Sequence, residues 1–123
     1  MRTLGAAPTN NGQLGFWAQA AAVATTTSAT PNTIQSILLP PGSWIIFGGA
    51  FFQVGVTFAS LSISTTNNVN DNFYQLALGV SGGPGLNISR GVTISTNTTF
   101  YLVAQASSAA NVTSVIMYVM RVG

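Results

Sequence analysis

Residues 39–52 have the sequence LPPGSWIIFGGAFF, and this stretch decides the fold. The PPG triplet at 40–42 predicts a turn, because proline and glycine supply the backbone angles that turns require. The residues that follow, 44–54, are mainly apolar, aromatic and β-branched, which predicts a long strand. Successive side chains of a strand point to opposite faces. The position of Trp44 therefore predicts which residues of this strand face the core.

Other short apolar runs, bounded by Gly, Pro, Asn and Ser, continue along the chain, and no helical periodicity of useful length is present. About eight strands are expected, at 16–22, 37–39, 44–54, 57–64, 73–79, 92–95, 100–106 and 112–122. This count and spacing predict an all-β fold, an antiparallel jelly-roll-like sandwich. We expect a single domain at 13–123, preceded by an extended N-terminal arm at 1–12.

The composition excludes most chemistry. Only 3% of the 123 residues are charged, against about a quarter in an ordinary soluble domain. They are Arg2, Asp71, Arg90 and Arg121, and the chain has no His, Cys or Lys. One carboxylate cannot form a glycosidase pair, and no His or Lys is present to activate a hydroxyl nucleophile. We therefore expect no enzyme activity, no cofactor and no metal site; a charge-poor calcium site at residues 70–72 (NDN) is the alternative to a solvated turn there.

Nucleic acid and membrane partners are also not expected. Three dispersed arginines cannot form the basic stripe that follows a phosphate backbone. Residues 37–61 carry no charge and would suggest a membrane span by hydropathy alone. That stretch contains the 40–42 turn and the Gly48-Gly49 pair, however, and no Lys or Arg flanks it. Paired strands are therefore favoured over a transmembrane helix.

Four stretches together resemble a recurring β domain of tailed-phage virion proteins. LPPGSW at 39–44 is similar to the L-P-x-G-x-W start of that domain, and SISTT at 62–66, TTFYLVAQAS at 98–107 and RVG at 121–123 follow in the same order. The resemblance covers about two thirds of the chain. It implies a jelly-roll-like sandwich, often trimeric, found in tail fibres, appendages and head-decoration proteins, without catalytic residues.

This chain departs from that pattern because several strands are apolar on both faces. The expected core anchors are Trp44, Ile46, Phe52, Leu61 and Leu102. The opposite faces carry Ile45, Phe47, Phe51, Tyr101, Val103, Ile116, Tyr118 and Met120. At on the order of 100 Å² each, these eight side chains give roughly 800 Å², one side of a standard interface. We expect them to form the interface of a homo-oligomer, most simply a trimer, or to contact the major capsid protein or another virion protein. The alternative is a second layer of the same chain over this face.

These observations predict a virion structural protein, with a capsid decoration or cement protein on the capsid surface as the first hypothesis. A chain of 123 residues is shorter than expected for a whole tail fibre. The second hypothesis is a tail-fibre or appendage tip module that binds a host-surface receptor or glycan. A third is a secreted trimeric module of the TNF/C1q-like type, which the lack of Cys and the retained Met1 disfavour.

Overall fold

A computed structural model describes residues 15–18, 22–27, 30–53, 56–78 and 85–123. All regular secondary structure in these ranges is β-strand. The strands are β1 (Gly15–Ala18), β2 (Ala22–Thr27), β3 (Asn32–Leu39), β4 (Gly42–Phe52), β5 (Ala59–Ser64), β6 (Gln75–Leu78), β7 (Gly85–Ile94), β8 (Thr98–Ala106) and β9 (Ala110–Arg121). The predicted arm, 1–12, lies outside the described residues.

The strands form two antiparallel sheets that enclose one core. The five-stranded sheet has the order β1-β9-β4-β7, and β2 pairs with β9 as well. Strand β1 pairs with the last part of β9 and β2 with its first part, so both lie along the same edge of that strand. The four-stranded sheet has the order β3-β8-β5-β6. The prediction of an all-β fold built from antiparallel sheets is confirmed.

Two strands are longer than the sequence pattern predicts. Strand β3 begins at Asn32, five residues before the predicted start at Ile37, and β7 begins at Gly85 instead of Val92. In β7 the inward positions alternate regularly, but one of them is Arg90, so a charge interrupts the apolar pattern. Strand β2 is additional to the predicted set.

The core lies between the inward faces of the two sheets. Trp44, Ile46, Leu61 and Leu102 are fully buried there and Phe52 almost fully, which is where the strand parity placed them. The sheets approach closely at Gly48, where a Cβ atom would lie 2.5 Å from Cδ1 of Leu102 in the opposite sheet. Glycine at this position is therefore required for the spacing of the layers.

A β-bulge in β9 changes which alternate residues of that strand face the core. Gly49 pairs with Ile116, but Phe51 pairs with Thr113, so β9 contains one extra residue between these pairs. Ser114 in the bulge has a φ of 51°. Because of the bulge, Val112 and Val115 both point into the core although they are three positions apart, an odd number that would place them on opposite faces of a regular strand.

The start of β4 and the end of β9 meet in what we call the Trp44–Arg121 corner. Trp44 and Arg121 are direct neighbours across the two strands, and both side chains are buried. The indole Nε1 of Trp44 donates a hydrogen bond to the carbonyl oxygen of Pro40 at 3.0 Å. Nη1 of Arg121 donates to the carbonyl oxygen of Pro41 at 3.2 Å, and its Cζ lies 5.2 Å from the centre of the Trp44 ring.

Gly42 makes room for this corner. Its φ is +147°, which residues with a side chain rarely adopt, and a Cβ atom would lie 2.7 Å from Cζ of Arg121. Two further backbone hydrogen bonds, from Ser43 N to Gly123 O and from Val122 N to Ser43 O, extend the pairing beyond β9. The turn before β4 and the last residues of the chain are thus one structural unit.

Replacing Trp44 tests the energetic importance of the corner. We expect Trp44→Ala to lower the free energy of unfolding by about 3–5 kcal/mol, because it leaves a cavity and exposes the guanidinium of Arg121 to an empty space. Trp44→Phe keeps most of the ring but loses the Nε1 bond, so its cost should be clearly smaller. Urea unfolding monitored by circular dichroism measures the free energy of unfolding of both variants. An unfolding midpoint of Trp44→Ala equal to that of the native chain would contradict this role.

Candidate interaction surface

The outer face of the five-stranded sheet is apolar along its two central strands. We call this surface the apolar face; its described residues are Ile45, Phe47, Phe51, Ile116, Tyr118 and Met120. Ile45 lies opposite Met120 and Phe47 opposite Tyr118, whereas Ile116 lies opposite Gly49 and Phe51 opposite Thr113. Since directly opposed side chains of neighbouring strands are in contact, the first two pairs form the centre of the apolar face.

An aromatic pair lies at the centre of this face. The rings of Phe47 and Tyr118 are stacked, with their centroids 4.9 Å apart and their planes 17° from parallel. Both side chains are half-buried, whereas Phe51 is 56% exposed, Ile116 41% and Met120 37%. No residue described on this outer face is charged, including the neighbouring strand β7. Transfer of such an uncharged surface from water to a protein interface costs little free energy of desolvation, because no charge has to be buried.

A shallow hollow of about 390 Å³ lies beside the aromatic pair, lined by Phe47, Gly48, Asn87, Ile88, Ser89, Ile116 and Tyr118. Two of its lining residues, Asn87 and Ile116, occupy the space that a side chain at Gly49 would need. A Cβ atom at Gly49 would lie 2.6 Å from Oδ1 of Asn87 and 3.3 Å from Cγ2 of Ile116. The hollow thus has one apolar wall, from β4 and β9, and one polar wall, from β7.

The outer face of the four-stranded sheet is covered by residues 65–74, which we call the covering segment. Asn68 exchanges two hydrogen bonds with Thr33 of β3, at 2.8 and 2.9 Å. Nδ2 of Asn70 donates to Oε1 of Gln105 in β8 at 2.9 Å, and the backbone N–H of Asp71 donates to Oγ of Ser62 in β5 at 2.9 Å. The segment therefore crosses three neighbouring strands. It explains why Ser62 and Ser64 of β5, on the non-core side of that strand, are buried.

This covering corrects the predicted interface at Val103 and places Tyr101 on the other sheet from Phe47. Val103 is fully buried within the chain, because its strand neighbours Thr33 and Ser62 both bind the covering segment. Tyr101 is half-buried on the same side of the four-stranded sheet. Both residues lie on the opposite side of the sandwich from Phe47, so they cannot belong to the apolar face. The alternative of a second layer of the same chain is correct for this sheet.

The side of the sandwich between β6 and β7 is closed by Arg90. Its Nη1 donates to the carbonyl oxygen of Ile63 at 2.9 Å and to Oδ2 of Asp71 at 3.1 Å. Its Cζ lies 3.9 Å from the centre of the Tyr74 ring. The guanidinium thus ties β7 of one sheet to β5 and to the covering segment of the other. We call this side the Arg90 flank.

Asp71 is fully engaged at this flank. Its Oδ2 accepts from Arg90, and its Oδ1 accepts from the backbone N–H of Phe73 at 3.1 Å. The amide of Asn70 is bound to Gln105. Residues 70–72 therefore belong to a turn whose carboxylate is paired with Arg90.

A second concavity, of about 300 Å³, lies on the Arg90 flank. Its lining combines the rings of Tyr74 and Phe100 with hydroxyl side chains and one guanidinium; the residues are Thr65, Tyr74, Arg90, Gly91, Val92, Thr93, Ile94, Thr98 and Phe100. Sequence reasoning did not predict this site, because its members come from three separated parts of the chain.

Phe73 was also missed as a surface residue. It lies in the covering segment next to Tyr74 and is 93% exposed, the largest exposure among the large apolar side chains that the structure describes. The sequence placed it inside a predicted strand at 73–79, whereas β6 begins at Gln75.

Within the described ranges, no three His, Cys, Asp or Glu side chains lie close enough to hold a metal ion together. The same ranges contain no helix long and apolar enough to cross a membrane. No protein-family model, curated protein or solved structure matches this chain.

Variants of the Arg90 flank should distinguish the contribution of its ion pair to the free energy of unfolding from the contribution of its other contacts. Asp71→Asn removes the charge but keeps a side-chain oxygen for the Phe73 N–H, so we expect a loss of at most about 1 kcal/mol in the free energy of unfolding. Arg90→Ala also removes the bond to the Ile63 carbonyl and the contact with Tyr74, and should cost about 1–3 kcal/mol.

Urea unfolding measures both changes, and limited proteolysis within 65–74 reports whether the covering segment loosens first. Equal losses in the two variants would mean that the ion pair alone accounts for the contribution of Arg90.

Proposed function

We propose that this chain is a structural protein of a virus particle, a capsid decoration protein that binds across neighbouring major capsid subunits and stabilises the head. The observation that carries the proposal is the apolar face: an uncharged, aromatic surface on a two-layer β framework. Such a surface serves association between proteins. The charged side chains of the described residues, Asp71, Arg90 and Arg121, are engaged in holding the fold.

The strand order supports a jelly-roll assignment for this framework. With β1 and β2 counted as one interrupted strand, the two sheets have the orders β2-β9-β4-β7 and β3-β8-β5-β6. Every connection except that between β5 and β6 then leads from one sheet to the other. Two four-stranded sheets interleaved in this way are typical of the jelly roll, which is common in viral capsid proteins.

The Trp44–Arg121 corner supports the resemblance to tailed-phage virion proteins. The LPPGSW and RVG stretches, which lie at opposite ends of the resemblance, are in contact across β4 and β9. Residues that jointly build one corner are expected to occur together in a family that shares the corner. This contact gives a physical reason why the two short motifs occur together, although each is weak evidence for the resemblance when taken alone.

The partner that we propose for the apolar face is a second copy of the chain, in a homotrimer. Without Val103, which is buried, and Tyr101, which lies on the other sheet, six apolar side chains remain on this face. Since three of them are half-buried, a monomer exposes less than roughly 600 Å² here at about 100 Å² each, which is a part of one side of a standard interface.

A second candidate function is a tail-fibre or appendage tip module that binds a host-surface glycan. The concavity on the Arg90 flank favours it, because the exposed ring of Tyr74 beside hydroxyl groups suits a sugar, whose faces are apolar and whose rim is polar. Binding of the isolated protein on a glycan array, lost in Tyr74→Ala, would support this candidate.

Copy number on the particle separates the two functions. A decoration protein covers the head and is present in many copies, whereas a tip module is present in a few trimers. Quantitative mass spectrometry of purified virions that carry this protein should give a copy number comparable with that of the major capsid protein. Fewer than a handful of copies per particle would overturn the decoration proposal.

The apolar face should be essential for association but not for folding. Phe47→Asp or Tyr118→Asp places an unpaired carboxylate in the interface, which costs several kcal/mol on burial. We expect analytical ultracentrifugation to show a fall to the monomer mass while the circular dichroism spectrum stays β-rich. Asn97→Asp, in the exposed turn between β7 and β8, adds the same charge away from the face and should leave the mass unchanged.

Two outcomes would contradict this prediction. Outright unfolding of both variants would place Phe47 and Tyr118 in the core. A full-size oligomer in both variants would show that another surface holds the copies together.

The oligomer should also be insensitive to salt. Because no described residue of the apolar face is charged, screening removes no attraction across the interface. Sedimentation in dilute buffer and in molar sodium chloride should give the same mass. Dissociation at high salt would indicate that arginine pairs with Asp71 across subunits.

A further inference from the structure

The proposed homo-oligomer has two unlike apolar surfaces to bury, and this inference rests on that proposal. We propose that the copies associate head to tail, with Phe73 of one copy inserted into the hollow beside Phe47 and Tyr118 of the next. Phe73 would then be the central contact residue of the interface.

Phe73 is presented on an ordered support. Its backbone N–H is bound to Oδ1 of Asp71, and the N–H of Tyr74 is bound to the carbonyl oxygen of Asp71 at 2.9 Å. Asp71 is in turn held by Ser62 and Arg90. A phenyl ring that is 93% exposed on such a turn has its backbone fixed before binding, so association costs little backbone entropy. Exposed aromatic residues held in this way are typical interface hot spots.

The hollow matches this ring in size and chemistry. A concavity of about 390 Å³ has room for one phenyl group, and its apolar wall consists of Phe47, Ile116 and Tyr118. Aromatic side chains on that wall can contact an inserted ring at edge or face. Neither surface has a net charge, since the charges beneath Phe73, on Asp71 and Arg90, neutralise each other.

The positions of the two surfaces favour a head-to-tail arrangement. The hollow lies on the outer face of the five-stranded sheet, and Phe73 lies at the Arg90 flank, where the edges of β6 and β7 meet. A symmetric pairing of two hollows would leave both Phe73 rings in water. A contact between unlike surfaces on different sides of the molecule buries both, and it closes into a ring when the rotation between copies allows it.

Cross-linking tests this arrangement directly because the chain contains no cysteine. We would place Cys beside each surface and leave the apolar contacts intact, as Asn72→Cys next to Phe73 and Ser89→Cys at the polar wall of the hollow. Both positions are exposed. The purified double variant is treated with a short bismaleimide and separated under denaturing conditions. Asn72→Cys combined with Ser108→Cys, in the exposed turn between β8 and β9, is the matched control.

The double variant should give covalent species up to the size of the ring, while each single variant gives none and a mixture of the two single variants gives dimers only. The control pair should give no species larger than a monomer. Cross-linking of Ser89→Cys by itself would show that two hollows meet, which would overturn the head-to-tail arrangement.

A second measurement distinguishes a failure of the head-to-tail arrangement from a failure of the proposed homo-oligomer. Phe73→Ser should weaken association at least tenfold in sedimentation, whereas Asn72→Ser, one residue away, should not. An oligomer that forms normally in Phe73→Ser and without the 72–89 cross-link overturns this inference and leaves the homo-oligomer standing. A native chain that sediments as a monomer overturns both.

Discussion

The structure depends on the burial of the Arg121 guanidinium against Trp44. A buried cation is normally costly unless hydrogen bonds or an opposite charge compensate it. The chain has a single carboxylate side chain, and this one pairs with Arg90. The contacts described for Arg121 are instead a carbonyl oxygen of the turn before β4 and the face of the Trp44 ring. The indole can lie there because its own N–H is bound to the same turn.

This corner fixes the register of the two central strands, and the register decides what faces outward. A shift of one residue between β4 and β9 would turn every side chain to the other face. The Gly42 backbone and the Pro40 and Pro41 carbonyls hold Trp44 and Arg121 opposite each other, so the pairing of Phe47 with Tyr118 follows. The outward position of the aromatic pair is thus a consequence of an arginine buried three residues further along β9.

The sequence predicted which face of its strand each residue lies on. It did not predict which other parts of the chain cover a sheet. Alternation placed Trp44 and Leu102 in the core, and Phe47 and Tyr118 on the opposite face, because each is a property of one strand. The same rule could not show that Val103 lies beneath other residues of the chain. The covering segment is polar, and a polar stretch is expected in solvent until its hydrogen bonds to three strands are known. Phe73 was missed for a related reason, since the turn that ends the segment displaces it from the predicted strand.

Arg90 has one more consequence, which concerns unwanted polymerisation. Strand β7 is the last strand of its sheet, and the unpaired backbone of such a strand can recruit a strand from another molecule. Proteins commonly prevent this with lysines along the outer strand, but this chain has none. The inward guanidinium of Arg90 is another feature of this kind, because inward-pointing charges on an outer strand disfavour edge-to-edge pairing of sheets.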